Sequence, residues 1–253
     1  MKNIPVLMYH HVKPNKDMVS ITPKNFEEQI STLNKMKFHF YSIDEFIDVI
    51  NGTAKIKKGV LITFDDGFVD NWIWAYPILK KYNAKATIFI TPKRMPKHGI
   101  RDDSFKPAPH RSFARLPDIS QEFISLEEMQ LMSELIDFQS HTMTHLRCTQ
   151  QTNQTKAEIK ESKLYIEQLT NKPCKAFAWP YGDNNQEDLQ YLAKQGYQAI
   201  FTIKTGTYRY NSNPLDIKRI EMKDKGKNFI KSRMFLYTTP ILSQLYAFIK
   251  GKI

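Results

Sequence analysis

An aspartate pair and a histidine pair carry the chemistry open to this chain. Thr63-Phe64-Asp65-Asp66-Gly67 offers two adjacent carboxylates, and His141-Thr142-Met143-Thr144-His145, starting 75 residues beyond Asp66, offers two imidazoles four apart. One carboxylate and two imidazoles can hold a divalent metal with open positions, as a hydrolytic site or as the facial triad of an iron oxygenase. The spare carboxylate favours hydrolysis, because a base must take a proton from water beside the metal. Either segment alone says little. Aspartate favours turns and caps, and Thr142 and Thr144 point to a tight loop around the histidines rather than a helix. His39, His98 and His110 have no comparable company and read as surface residues.

The elements around these segments must bring them together. Gly59-Val60-Leu61-Ile62 reads as a buried strand, so the aspartates fall where it ends and turns, the place where α/β enzymes put catalytic groups. Pro5-Val6-Leu7-Met8-Tyr9 reads as a first strand ending in His10-His11. His10 is therefore a candidate for the proton donor of a hydrolysis or for substrate contact, against the plainer role of holding a turn.

Thr22-Pro23 opens a helix, and Ser42-Ile43-Asp44-Glu45 and Ser125-Leu126-Glu127-Glu128 are capping boxes that open two more. Strands are expected at 38–41, 60–64, 86–90, 136–139, 176–179, 198–202 and 217–222, and helices at 69–82, 155–169 and 187–194. That makes seven or eight β/α units without an internal repeat, hence an α/β fold, a parallel barrel or a closely related open sheet. Residues 91–125 break the rhythm with Pro92, Pro96, Pro107, Pro109 and Pro117. Arg101, Arg111 and Arg115 lie there, so this insertion either covers a phosphate-bearing substrate or stands apart from the chemistry.

At 253 residues, with 41% hydrophobic side chains, the chain has the means to bury one large core without a second domain. Cys148 and Cys174 have no disulfide or zinc-knuckle spacing and read as free thiols of a reducing compartment. The apolar run from 4 to 9 is too short for a signal-peptide core, and no later run reaches the roughly 20 residues of a membrane span. The formal charge is +11, and residues 223–253 carry seven basic side chains against Asp224 alone, interleaved with bulky apolar ones. Such a tail suits an anionic membrane face, or else a terminal helix packed on the barrel with its lysines in water.

The chain resembles the polysaccharide deacetylases of the NodB-homology class (carbohydrate esterase family 4-like) from Val6 to about Met222. Thr63-Phe64-Asp65-Asp66-Gly67 is similar to their first motif, His141-Thr142-Met143-Thr144-His145 to their second and Trp179-Pro180-Tyr181-Gly182 to their third, in the expected order. The resemblance implies Asp65 as catalytic base, Asp66, His141 and His145 as ligands of a divalent metal, commonly zinc, and Pro180, Tyr181 and Gly182 on the acetate side, with the Tyr181 N–H donating to the oxyanion. It implies an α/β fold that is a distorted (β/α) barrel of seven to eight strands, and hydrolysis of an N-acetyl group on an amino sugar. Where many relatives have an arginine this chain has Ala178, and their late Leu-x-His is replaced by Lys218-Arg219-Ile220-Glu221, so Arg219 is taken as a substrate or oxyanion contact.

The Tyr-His opening and the Arg219-Ile220 segment resemble the branch acting on poly-N-acetylglucosamine. The insertion and the basic tail resemble deacetylases of an undecaprenyl-phosphate-linked N-acetylhexosamine used in lipid A modification. The expectation is residues 1–222 as a catalytic domain with its insertion at 91–125, and 223–253 as a basic amphipathic tail. A lipid-linked amino sugar is the favoured substrate, met at the cytoplasmic face of the inner membrane, with a polymer deacetylase as alternative. A non-catalytic glycan- or nucleic-acid-binding module is the remote reading; no nucleic-acid motif is present.

Overall fold

Eight short parallel strands set the frame: β1 (Val6–Tyr9), β2 (His39–Phe40), β3 (Gly59–Asp66), β4 (Ala86–Ile90), β5 (Ile136–Ser140), β6 (Ala176–Ala178), β7 (Ala199–Thr205) and β8 (Ile217–Glu221). The computed structural model describes residues 3–148, 152–239 and 242. β1 pairs with both β8 and β3, which closes β1 and β3 to β8 into a seven-stranded barrel, while β2 pairs with the first residues of β3. This is the distorted (β/α) barrel that the family resemblance implies, and not the open sheet that the alternation alone also allows.

Period-two alternation sorts each strand into an inner and an outer face. On β3, Val60, Ile62 and Phe64 join the apolar layer beneath the helices, and Leu61 joins an inner cluster with Phe89, Ala178 and Phe201. Thr63 and Asp65 share the face of Leu61, so Asp65 stands at the top of the barrel interior.

The helices are α1 (Pro23–Lys35), α2 (Ile43–Ile50), α3 (Tyr76–Lys81), α4 (Leu126–Met132), α5 (Thr152–Thr170), α6 (Gln186–Lys194) and α7 (Lys227–Thr238). Both expected capping boxes form, at Ser42 with Glu45 and at Ser125 with Glu128. α2 closes the end of the barrel where the strands begin: Phe46 packs on Phe201 and Tyr208, and Ile43 N–H donates to Asp137 at the start of β5. The opposite end, where the strands finish, is left for the site.

Two elements differ from expectation. The helix expected over 69–82 is a π-turn at Asn71–Ala75 followed by the short α3. Pro77 has no N–H to continue an i→i−4 ladder, and a wider turn absorbs the missing bond. The insertion is not an open loop: it holds three 3₁₀ turns, Pro92–Arg94, His110–Arg115 and Ile119–Glu122. Arg101 anchors it, with Nε 2.8 Å from Glu128 Oε1 and Nη2 2.6 Å from Oε2, and so is not offered to a substrate.

Cys148 and Cys174 are separate buried thiols. In α7, Ile230, Met234 and Tyr237 are buried, as a helix packed on the barrel requires. Most of the apolar stretch expected to meet a membrane lies outside the described residues. No helix among the described residues is long and apolar enough to cross a membrane.

Candidate active site

Two backbone turns in the left-handed region bring the first ligands into place. Asp66 ends β3 at φ 75°, and Gly67 follows at φ 80°. Thr142 and His145 also lie there, at φ 64° and 67°, so the histidine pair sits on a tight loop as its threonines imply. Thr142 Oγ1 accepts the N–H groups of His145 and Leu146. Glu158 of α5 clamps the same loop, accepting Met143 N–H and Thr144 N–H at 2.8 Å each and the Thr144 hydroxyl at 2.8 Å.

The fold gathers Asp66, His141 and His145 into one cluster whose candidate ligand atoms all lie within 4.8 Å of one another. Asp66 Oδ1 is buried and makes no hydrogen bond, although His145 Nε2 stands 3.0 Å and His141 Nε2 3.5 Å away. A buried carboxylate oxygen without a hydrogen-bond donor, faced by two ring nitrogens, is what a cation would complete. His141 Nδ1 lies 2.8 Å from the Ala178 carbonyl, which orients the ring so that Nε2 faces Asp66. Burial alone would raise the Asp66 carboxyl, but the two imidazoles outweigh it and hold it well below the usual carboxylate range. Burial lowers the His145 ring, which keeps it in the neutral form a ligand must have. The residues fit a divalent metal.

Asp65 is held apart from that cluster. Arg219 lies inside the barrel with no exposed surface and grips it through both ends of the guanidinium, Nη1 2.6 Å from Oδ1 and Nη2 2.7 Å from Oδ2. Arg219 Nε donates to the Thr202 carbonyl, which fixes the fork. Burial would raise the Asp65 carboxyl, but the arginine outweighs it and keeps it ionised below the usual range. The role expected of Arg219, contact with substrate or oxyanion, is thereby corrected. Strand alternation puts it on the inner face with Ile217, beneath Asp65 and out of substrate reach, where it orients the acid that Ala178 leaves without a neighbour. A charged side chain on the inner face of a barrel strand was the signal for it.

His10 does reach the site: its Nε2 is 3.9 Å from Asp65 Oδ2, and burial lowers its pKa. Pro180, Tyr181 and Gly182 form a 3₁₀ turn, with Tyr181 at φ 59°. A side chain at Gly182 would meet Ile203 at 2.4 Å, so the turn closes only with glycine there. The Tyr181 ring packs edge-on against His145, centroids 4.6 Å apart, and under the Arg147 guanidinium at 3.8 Å.

His10, Asp65, Asp66, His141, His145 and Tyr181 line one cavity of about 540 Å³. The insertion supplies part of its wall, through Arg94, His110, Arg111, Phe113 and Ile119. His110 is therefore no surface residue. It was illegible beforehand because nothing in its spacing links it to residues near 10 or 66.

The comparisons decide the family. The family model described as polysaccharide deacetylase matches residues 52–200. The chain belongs to the polysaccharide deacetylase family. It is 30% identical over 216 residues to the poly-beta-1,6-N-acetyl-D-glucosamine N-deacetylase of Staphylococcus aureus, covering 81% of this chain and 68% of that protein. It is similar in structure to the Streptococcus pyogenes deacetylase PplD in complex with acetate, with TM-score 0.76 and 26% identity over 94% of this chain and 99% of that one. IcaB from Ammonifex degensii shares the fold, at TM-score 0.75 and 20% identity over 93% of this chain and 97% of its own. The chain is thus a carbohydrate N-deacetylase, a hydrolase of an amide C–N bond, and deacetylases of this family depend on a metal.

Proposed function

We propose that this chain removes the acetyl group from N-acetylglucosamine units of a poly-N-acetylglucosamine-type glycan, with zinc held by Asp66, His141 and His145. The observation that carries the chemistry is the buried, unpartnered Asp66 Oδ1 facing two imidazoles, beside a separate carboxylate fixed by Arg219. The Staphylococcus aureus relative supports the substrate class.

A divalent cation, when bound, supplies Lewis acidity to the acetyl carbonyl and to water. Asp65, ionised and immobilised, takes the proton of the attacking water. The turn's own hydrogen bonds use Gly182 N–H and Asp183 N–H, and the Tyr181 N–H serves as the donor to the developing oxyanion. His10 gives a proton to the amine as the C–N bond breaks, and acetate leaves. Purified protein with zinc should release acetate from an N-acetylglucosamine oligomer, and Asp65→Asn should stop release while metal stays bound; an equally active variant would remove Asp65 from this role.

A second reading, a polyprenyl-phosphate-linked N-acetylhexosamine met at an anionic membrane, rests on the cavity mouth. Met18, Val19 and Ile203 are large apolar side chains exposed there, and Arg94 and Arg111 line the same cavity. Membrane contact of the tail, and with it a place on the cytoplasmic face, belongs to this reading. Faster turnover of the lipid-linked sugar than of a soluble oligomer supports it; the reverse preference leaves the glycan.

A further inference from the structure

A chain of three side chains runs from the protein interior to the wall of the cavity, and the chemistry above uses none of them. Asp70 is buried, and its Oδ1 accepts Val12 N–H at 3.0 Å and Asn71 Nδ2 at 2.9 Å. Its Oδ2 lies 2.5 Å from His11 Nδ1. His11 is 1% exposed and stacks on Phe68, ring centroids 3.8 Å apart, so it cannot turn away. Its Nε2 is 3.1 Å from Nδ1 of His110, the insertion residue that lines the cavity. The His110 backbone is tied as well, its N–H donating to Asp17 Oδ2 at 2.5 Å. Asp70 and His11 come from β3's following turn and the end of β1, so the core of the barrel aims a side chain of an inserted loop.

We propose that His110 is a substrate-binding residue whose cavity-facing nitrogen is a hydrogen-bond acceptor, its polarity set by the Asp70–His11 pair, and that it takes a neutral sugar hydroxyl of the glycan. The polarity follows from donor counting. A carboxylate only accepts, so His11 donates from Nδ1. A single proton on His11, spent on Asp70, is part of the proposal; its Nε2 then presents a lone pair, to which His110 donates from Nδ1. His110 Nε2, on the far side of its ring, is left with a lone pair. A hydroxyl satisfies it, whereas a phosphate or carboxylate brings only further lone pairs, and an O-substituted sugar has no proton to give. Asp70 and His11 are positioning residues in this scheme. The inference deepens the glycan reading and rests on it.

Asp70→Asn tests it by inverting the chain. Because Oδ1 is pinned by two donors, the new amide must keep its oxygen there and put its NH₂ at the Oδ2 position, facing His11 Nδ1. His11 then donates from Nε2, His110 accepts at Nδ1, and its Nε2 carries a proton. Nitrogen-15 NMR of labelled histidines should show His110 Nε2 unprotonated in the wild type and protonated in Asp70→Asn. With an N-acetylglucosamine oligomer, Asp70→Asn and His110→Ala should each raise KM about tenfold, the size of one hydrogen bond, with the loss on KM rather than kcat. His110→Ala lies in a half-buried turn and keeps the test open should Asp70→Asn fail to fold.

A protonated His110 Nε2 in the wild type, or an unchanged KM for His110→Ala in an otherwise active enzyme, overturns the inference alone. A metal-loaded wild type inactive on acetylated oligomers overturns the glycan reading beneath it.

Discussion

At the residue scale, the site separates two adjacent aspartates by what surrounds each. Asp65 points into the barrel and meets a guanidinium; Asp66, one residue on, turns through a positive φ and meets two imidazoles. Adjacent residues of a strand face opposite ways, so two neighbouring carboxylates serve two tasks without sharing a proton. Asp65→Asn should lower kcat about 10²- to 10⁴-fold, the usual worth of a positioned base, with metal content unchanged by elemental analysis. Arg219→Met should destabilise the fold by about 3–5 kcal/mol in denaturant titration, since it strands a buried charge. The double variant Asp65→Asn with Arg219→Met should lose less than the sum of the two, because each removes the other's partner. Additive losses would mean that the pair does not act as one unit. The motif residues were legible because aspartates at a strand end and histidines four apart carry their chemistry in their spacing. Arg219 was visible only as a residue, its task hidden until strand alternation placed it under Asp65.

At the element scale, loops are held in place by acids that accept from several donors at once. Glu158 reaches from α5 to three donors of the histidine loop. Glu158→Gln removes one acceptor oxygen, and metal affinity should fall about tenfold to 100-fold in a competition titration, as for other groups that orient ligands. Asp17 does the same for the insertion. Burial alone would raise its carboxyl, but the N–H groups of His110 and Met18 and the Lys13 ammonium outweigh burial and hold it below the usual carboxylate range. A depressed folded pKa contributes stability that is present above the unfolded value near 4 and is lost as pH falls below it. The protection factor of the His110 amide, corrected for intrinsic exchange, should therefore hold level above about pH 4 and decline progressively as pH falls from there toward the depressed folded value; a protection factor that does not fall anywhere below about pH 4 while the fold persists would contradict the tie. Helix starts were readable from Ser42 and Ser125, where both partners of each cap lie within four residues. The insertion's course was not, because Arg101 with Glu128 and Asp17 with His110 join residues far apart in the chain.

At the scale of the molecule, the barrel closes one end with α2 and opens the other over the cluster of Asp66, His141 and His145, and α7 seals the side against α1. Asp224 accepts from Thr22 and Asn25 of α1's first turn, and Gln29 donates to the Lys225 carbonyl, so the chain entering α7 is fixed before the helix begins. Ending the chain after residue 226 should therefore destabilise the protein, with a melting temperature below that of the full chain. If the segment after 239 is what meets anionic vesicles, a chain ended there should no longer float; flotation that persists would place the membrane contact elsewhere. Fold class was legible because strand and helix alternate along the chain; barrel closure was not, because an open parallel sheet shows the same alternation. What joins β1 to β3 is register, which no local pattern records.

The most direct test of the metal-dependent deacetylase account joins metal content to acetate release. Full-length protein, its Asp65→Asn variant and its His141→Ala variant are each measured for bound zinc and for acetate freed from an N-acetylglucosamine oligomer. The account predicts one zinc per chain with release for the wild type, one zinc without release for Asp65→Asn, and neither for His141→Ala. Acetate release that is unaffected by loss of the metal, or by loss of the Asp65 carboxylate, would contradict it.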